Sequence, residues 1–217
     1  MPYKRKPPVW WQSFIRLVAT KEQDAMYRAG ILIIVVMVML WSQAALAGQA
    51  QDAVKVSVDE VISILRDSKG GDTDRTKRLA QAVARVFDPE ELSRRTLASH
   101  WQEFSPEEQQ KFTATFVKML QNTYLHHLET YTDERVDFLA ESELAEDRAE
   151  VATKIVTSGK DIGIIYRLIR KNSWKVYDVV IEGVSLVQNY RNQFAQILAK
   201  ESPAQLIGRL EAMTPAN

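Results

Sequence analysis

Candidates for acid–base or metal chemistry are few in this 217-residue chain: three histidines, His100, His126 and His127, and one acid in an apolar stretch, Asp178. Neighbouring positions on a helix point about 100° apart, so His126 and His127 share no face. No histidine pair stands at the i, i+4 spacing of a helical zinc site, and all three read as structural or surface residues. The chain has no G-x-S-x-G elbow, no Walker loop and no G-x-G-x-x-G turn. Its eight glycines are too few for a phosphate cradle plus the turns of a fold. The absence of cysteine excludes disulfide staples, thiolate metal sites and thiol nucleophiles. Asp178 alternates with Trp174, Val176 and Val180. It reads either as a general acid or base in an apolar setting, or as a carboxylate satisfied by hydrogen bonds or by an arginine such as Arg191.

The elements that must position these residues fall into two unlike parts of the chain. The charges balance, 28 basic against 28 acidic, which argues against a nucleic-acid binder. Residues 1–47 nevertheless carry a net +4 and the remainder −4. The positive part leads into Ile31-Leu-Ile-Ile-Val-Val-Met-Val-Met-Leu-Trp41 and ends in Ala45-Leu46-Ala47, the small-x-small pattern of a leader cleavage site. Such a run partitions into a bilayer with its basic flank held on the cytoplasmic side. The expectation is a signal peptide over 29–47, or an uncleaved inner-membrane anchor if the flanking small residues extend the run towards the ~20 needed to span. Residues 1–28 exceed an ordinary leader. Either translation starts at Met26, or they form a cytoplasmic amphipathic stub built on Trp10, Trp11, Phe14 and Ile15. The working domain is then 48–217, in the periplasm.

Within 48–217 the apolar period changes once. Val54, Val58, Val61, Ile62 and Leu65 recur at helical spacing, as do Leu79, Val83, Val86 and Phe87. Asp88-Pro89-Glu90-Glu91 and Ser105-Pro106-Glu107-Glu108 each supply an N-cap, a proline at the first helical position and an acid two residues on. The second opens a helix with Phe112, Phe116, Met119, Leu120, Tyr124, His127, Leu128 and Tyr131 on one stripe. Alternation then replaces the helical period around Val136–Phe138, Val151–Ile155, Ile164–Leu168 and Trp174–Val180. Short polar connections allow hairpins, so four antiparallel strands are expected. Helices resume after Gly183, with Ser185 and Ser202 as caps. Helices segregated from a strand run indicate an α+β domain.

Both faces of the last strands carry large hydrophobes: Trp174, Val176 and Val180 on one side, Tyr177, Val179 and Ile181 on the other. A sheet with one wetted face alternates with polar residues instead. Two readings stand: a filled core between helices, or an apolar cavity against one face.

The segment Trp174-Lys-Val-Tyr-Asp-Val-Val-Ile-Glu-Gly-Val-Ser-Leu-Val-Gln-Asn-Tyr-Arg-Asn-Gln-Phe194 closely resembles the signature of the MlaC family. These are periplasmic phospholipid-binding components of the Mla ABC transport pathway, also called toluene-tolerance proteins. Phe87-Asp88, Leu97 to Trp101, Ser105 to Glu108, Asn122 to Leu125 and Tyr166-Arg167-Leu168 match in order and spacing, so the resemblance covers about residues 54–211. The resemblance implies a fold like nuclear transport factor 2, a four-stranded antiparallel sheet with extra helices and a deep apolar pocket. It implies no catalysis, no cofactor, and a phospholipid as cargo, carried between the inner and outer membranes to maintain outer-membrane asymmetry. It further implies two partners: an inner-membrane ABC transporter complex with its lipid-binding ring, and an outer-membrane lipoprotein–porin complex.

The residues expected to line the pocket are Val136, Phe138, Val151, Ile155, Ile164, Tyr166, Trp174, Val176 and Val180 from the strands. Leu120, Tyr124, Leu128, Val187 and Tyr190 are expected from the helices. Two alternatives stand beside the phospholipid carrier: a membrane-tethered carrier of related lipids such as hopanoids, and a small-molecule enzyme on the same fold using Asp178.

Overall fold

The computed structural model describes residues 48–67, 72–129, 135–157 and 159–213. The expected leader, residues 1–47, lies outside them. Among the described residues four helices come first: α1 (Gln49–Arg66), α2 (Asp72–Val86), α3 (Pro89–Leu97) and, after a 3-10 turn over Ala98–Glu103, α4 (Pro106–Glu129). Five strands follow: β1 (Arg135–Ala145), β2 (Arg148–Val156), β3 (Ile162–Arg170), β4 (Trp174–Ile181) and the two-residue β5 (Val184–Ser185). Helices α5 (Leu186–Leu198) and α6 (Pro203–Ala212) close the chain. The sheet is an antiparallel meander in the order β1-β2-β3-β4-β5. It has five strands rather than the expected four, because the chain after Gly183 pairs briefly with the end of β4 before entering α5.

Local chemistry explains where the helices begin. The Asp88 carboxylate accepts from the Glu91 N–H and starts α3 with Pro89 at its first position. Ser105 and Glu108 form a reciprocal capping box that opens α4. Ser185 caps α5 through the Gln188 N–H, and Ser202 with Gln205 forms a second full box on α6. Gly183 and Glu182 both take positive φ at the β4–β5 turn, where a tight reversal demands it.

Among the described residues three apolar clusters result, the smallest joining Ile64 of α1, Leu79 and Ala82 of α2 and Leu125 of α4. Helices α3 to α6 enclose the first, built on Leu92, Leu97, Phe104, Phe112, Phe116, Phe194 and Leu206. Its rings contact edge to face or stacked, with Phe116 centred 5.4 Å from Phe112, 5.2 Å from Tyr190 and 5.4 Å from Phe194. The second lies between one face of the sheet and α1, with Val86 and Phe87 at the end of α2 closing one side. Phe87 bridges Val176 in strand-like fashion, and the Asp88 N–H donates to the Val176 carbonyl at 2.8 Å. That contact ties the helical half to the edge of β4 that the short β5 leaves bare.

Candidate functional site

The register of the strands defines the sheet face that α1 covers. Val136 pairs with Ile155, Phe138 with Thr153, Thr153 with Ile164, and Val151 with Tyr166. Ile164 pairs with Ile181, Tyr166 with Val179, Leu168 with Val176 and Arg170 with Trp174. Eight of the nine expected strand residues therefore share one face: Val136, Phe138, Val151, Ile155, Ile164, Tyr166, Trp174 and Val176.

Val180 does not. A β-bulge lies in β4 between Val176 and Asp178, and the extra residue, Tyr177, reverses the alternation beyond it. Val180 consequently pairs with Ile165 on the opposite face, while Val179 and Ile181 take the places beside Tyr166 and Ile164. The Tyr177 ring packs instead beneath the Arg95 guanidinium of α3, 4.0 Å from its centroid.

The expected helical residues are likewise placed elsewhere. Val187 is buried in the helical core, and Leu120 and Tyr190 pack against it. Tyr124 is half-buried and hydrogen-bonds to Tyr190. The reason is geometric: α4 meets α2, α3 and α6 and sets its rings against α5, and it is α1 that lies along this face of the strands. The side chains of Leu128, His126 and His127 lie outside the described residues. Residues over the sheet that the strand-based reading missed are Ala50, Val54 and Val58 of α1, with Phe87, Ile162 and Leu186. The signal for α1 was its Val54–Val58–Ile62 stripe, an apolar face with no assigned partner in the sequence.

Packing along this face is graded. At one end Ala149, Leu168 and Val176 are sealed, each at most 1% exposed, under Ala50, Val54 and Phe87. Towards the other end Phe138, Ile155, Ile162, Tyr166 and Ile181 remain half-buried, although they belong to the same cluster. Helix α1 runs antiparallel to β1. Its first turn is held by Glu141, and its last turn faces the start of β1 across a cleft of about 530 Å³. Asp59, Ile62, Ser63, Arg66, Asp67, Arg135 and Val136 line this cleft. The accessible end of the sheet face thus lies beside an opening of mixed apolar and charged lining. A larger groove of about 730 Å³ runs along the outside of α4, where Trp101, Pro89, Pro106, Ala114 and Val117 share the lining with Glu90, Gln109, Gln110, Thr113, Lys118 and Gln121. It lies away from the sheet face.

Polar groups on the covered face are few, and the buried Trp174 indole N–H has no hydrogen-bond partner among the described residues. Tyr166 bonds to Thr153. Burial pushes the Tyr166 phenol above its ordinary pKa, against the smaller opposing effect of that hydrogen bond.

Asp178 lies on the other face. It is 2% exposed and saturated with donors: Ser185 Oγ at 2.7 Å, the Val187 N–H at 3.0 Å and Arg167 at 3.2 Å. Arg167 in turn pairs with Glu150 at 2.8 Å. The partner expected from the sequence, Arg191, donates instead to the Arg95 carbonyl at 3.0 and 2.6 Å. Asp178 joins β4 to the start of α5 and stands away from the cleft. Among the described residues no cluster of His, Asp or Glu is placed to hold a metal ion, and no helix is long and apolar enough to cross a membrane.

Comparison with known proteins agrees with this geometry. The structure of a phospholipid-binding protein from Ralstonia solanacearum, determined in complex with a phospholipid, superposes with a TM-score of 0.71 at 26% identity. The match covers 76% of this chain and 97% of that one. The intermembrane phospholipid transport system binding protein MlaC of Haemophilus influenzae is 27% identical over 123 residues. That alignment takes in 54% of this chain and 58% of the relative, so the chain spans less than two thirds of the curated relative it matches. The model of the MlaC protein family matches residues 55–212, all of the helices and strands bar the first turns of α1, and the chain belongs to the MlaC family.

Proposed function

We propose that this protein is a periplasmic phospholipid carrier that takes acyl chains between α1 and the sheet face bearing Val136, Ile155 and Tyr166. The observation that carries the reading is the gradient along that face, sealed at Leu168 and Val176 and accessible at Phe138, Ile155 and Ile162. Two acyl chains hold ~30 CH₂ groups, and at ~0.8 kcal/mol each their exposure to water costs on the order of 24 kcal/mol. A carrier therefore has to bury the tails, whereas the headgroup can remain in water. The mixed lining of the α1–β1 cleft, with Asp59, Arg66, Asp67 and Arg135 beside Ile62 and Val136, suits that division.

No catalytic step is part of this reading. The binding of a phospholipid by the Ralstonia protein and the transport role in the name of the Haemophilus relative support it. Partners follow from the same reading: an inner-membrane ABC transporter complex with a lipid-binding ring, and an outer-membrane lipoprotein–porin complex. Exchange between them would maintain outer-membrane lipid asymmetry.

Lipid extraction and mass spectrometry of the purified protein test the proposal. The expected result is copurified phospholipid, with phosphatidylethanolamine and phosphatidylglycerol in roughly the proportions of the host membrane, because the covered face reads tails. Protein that is folded and free of lipid after gentle purification would overturn it.

A further inference from the structure

Ala45-Leu46-Ala47 has small side chains at the two positions a leader peptidase reads, and the residue after that motif is Gly48. Gly48 is also the N-cap of α1 and has no side chain with which to cap it. The cap comes from 93 residues away: the Gly48 N–H donates to Glu141 Oε1 at 3.1 Å, and the Gln51 N–H donates to Oε2 at 2.7 Å. A Cβ at Gly48 would meet nothing within 4 Å, so packing does not call for glycine there. Its φ of +104° does, but only while a residue precedes it, because a first residue has no φ.

We propose that, once the leader expected to end at Ala47 is removed, Glu141 is the docking carboxylate for the α-ammonium of Gly48, latching α1 over the apolar sheet face. The step is a hydrolysis by the host leader peptidase. Water adds across the peptide bond, its oxygen passes to the Ala47 carboxylate, and the Gly48 nitrogen departs as an amine that takes up a proton. The nitrogen that donates one proton as an amide then carries three and a positive charge. A free ammonium at a helix N-terminus opposes the helix dipole. Glu141 offsets that penalty and turns a neutral-donor hydrogen bond into an ion pair. The carboxylate is therefore needed more after the cut than before it.

This inference rests on the export part of the proposed function and not on the lipid part. The full chain is expressed in a Gram-negative host, collected from the periplasm and weighed intact, with lipid content measured separately. Gly48 as the first residue is the expected result. A retained leader overturns both the cut and the reading of export with cleavage. A cut at another bond overturns this inference alone. The docking is then read by the rate at which an amine-selective acylating reagent labels the first residue at neutral pH. Glu141→Gln should be labelled several-fold faster than the unmodified sequence at unchanged circular dichroism, and Glu141→Asp should recover part of the protection. Equal rates in all three overturn the docking. Should the Gln variant fail to fold, the unsubstituted protein still decides: added salt speeds labelling of an ion-paired ammonium and leaves an unpaired one unchanged.

Discussion

The two larger apolar cores of this protein are made of similar residues and packed to different ends. In the helical core, Phe112, Phe116 and Phe194 are buried almost completely and meet ring against ring. On the sheet face, Phe138, Ile155, Ile162, Tyr166 and Ile181 belong to one cluster yet remain partly accessible. A domain of this size can fill one core to crystal density. Leaving a second core incompletely closed forgoes dispersion contacts that would otherwise stabilise it.

Charges placed at the two ends of the sheet face test this contrast most severely. Leu168→Arg puts a guanidinium where nothing can hydrate it and no space exists, and the domain should fail to fold. Val176 is as sealed as Leu168, so an arginine there should act the same way. Ile155→Arg adds the same charge at the accessible end, where the long side chain can follow the opening beside Val136 to water. That variant should remain folded, melt within a few degrees of the parent, and lose its copurifying lipid. Circular dichroism, thermal melting and lipid content on one sample read all of these. Unfolding of the Ile155 variant would show that both ends are filled core.

Truncation in the helical core comes next. Phe116→Ala removes a ring with three aromatic neighbours and should cost about 3–5 kcal/mol. Lipid content per folded molecule should not change. Denaturant unfolding with lipid analysis of the folded fraction checks this, and selective lipid loss would place the cargo among α3 to α6 rather than under α1.

Asp178→Ala has a smaller expected effect, about 3 kcal/mol, because it leaves the Val187 N–H, the Ser185 hydroxyl and Arg167 without their shared acceptor. The loss should appear as earlier melting of the β4–α5 junction, followed by hydrogen exchange at Val187. Lipid binding in the folded protein should be retained, since Asp178 faces away from the cleft.

Much of this architecture was legible from local chemistry. The capping serines and Asp88 begin helices where they were expected, because a cap depends on residues three positions apart. The sheet face was legible as far as Val176, because alternation holds while pairing is regular. The bulge at Tyr177 was not, since Trp-Lys-Val-Tyr-Asp-Val-Val-Ile reads as unbroken alternation with no glycine or proline to mark an insertion. One anomaly did point to it. Unbroken alternation puts Asp178 on the same face as Trp174 and Val176, and the bulge relieves that conflict by turning the carboxylate to Arg167. Which helix covers the sheet was not legible either. The stripes on α1 and α4 are both apolar, and the choice between them depends on contacts some 90 residues apart in the chain, such as Glu141 with Gly48.

The smallest expected effect compares two tyrosines, one in each core. Burial raises the pKa of Tyr166, and burial followed by the neighbouring Tyr124 raises that of Tyr190. A group whose folded value lies above its unfolded one contributes stability that is intact below the unfolded value, about 10 for tyrosine, and is lost as pH rises through the folded value. Both tyrosines should therefore titrate above the ordinary tyrosine range in an ultraviolet difference titration, and Tyr166→Phe and Tyr190→Phe should each flatten the alkaline loss of stability. The two should part company when lipid is removed. Water entering an emptied cleft solvates the Tyr166 phenolate and brings its titration earlier, while Tyr190, among Phe116 and Phe194, should not respond. A delipidation shift at Tyr190, or none at Tyr166, would mean that the two cores do not differ in the way their packing indicates.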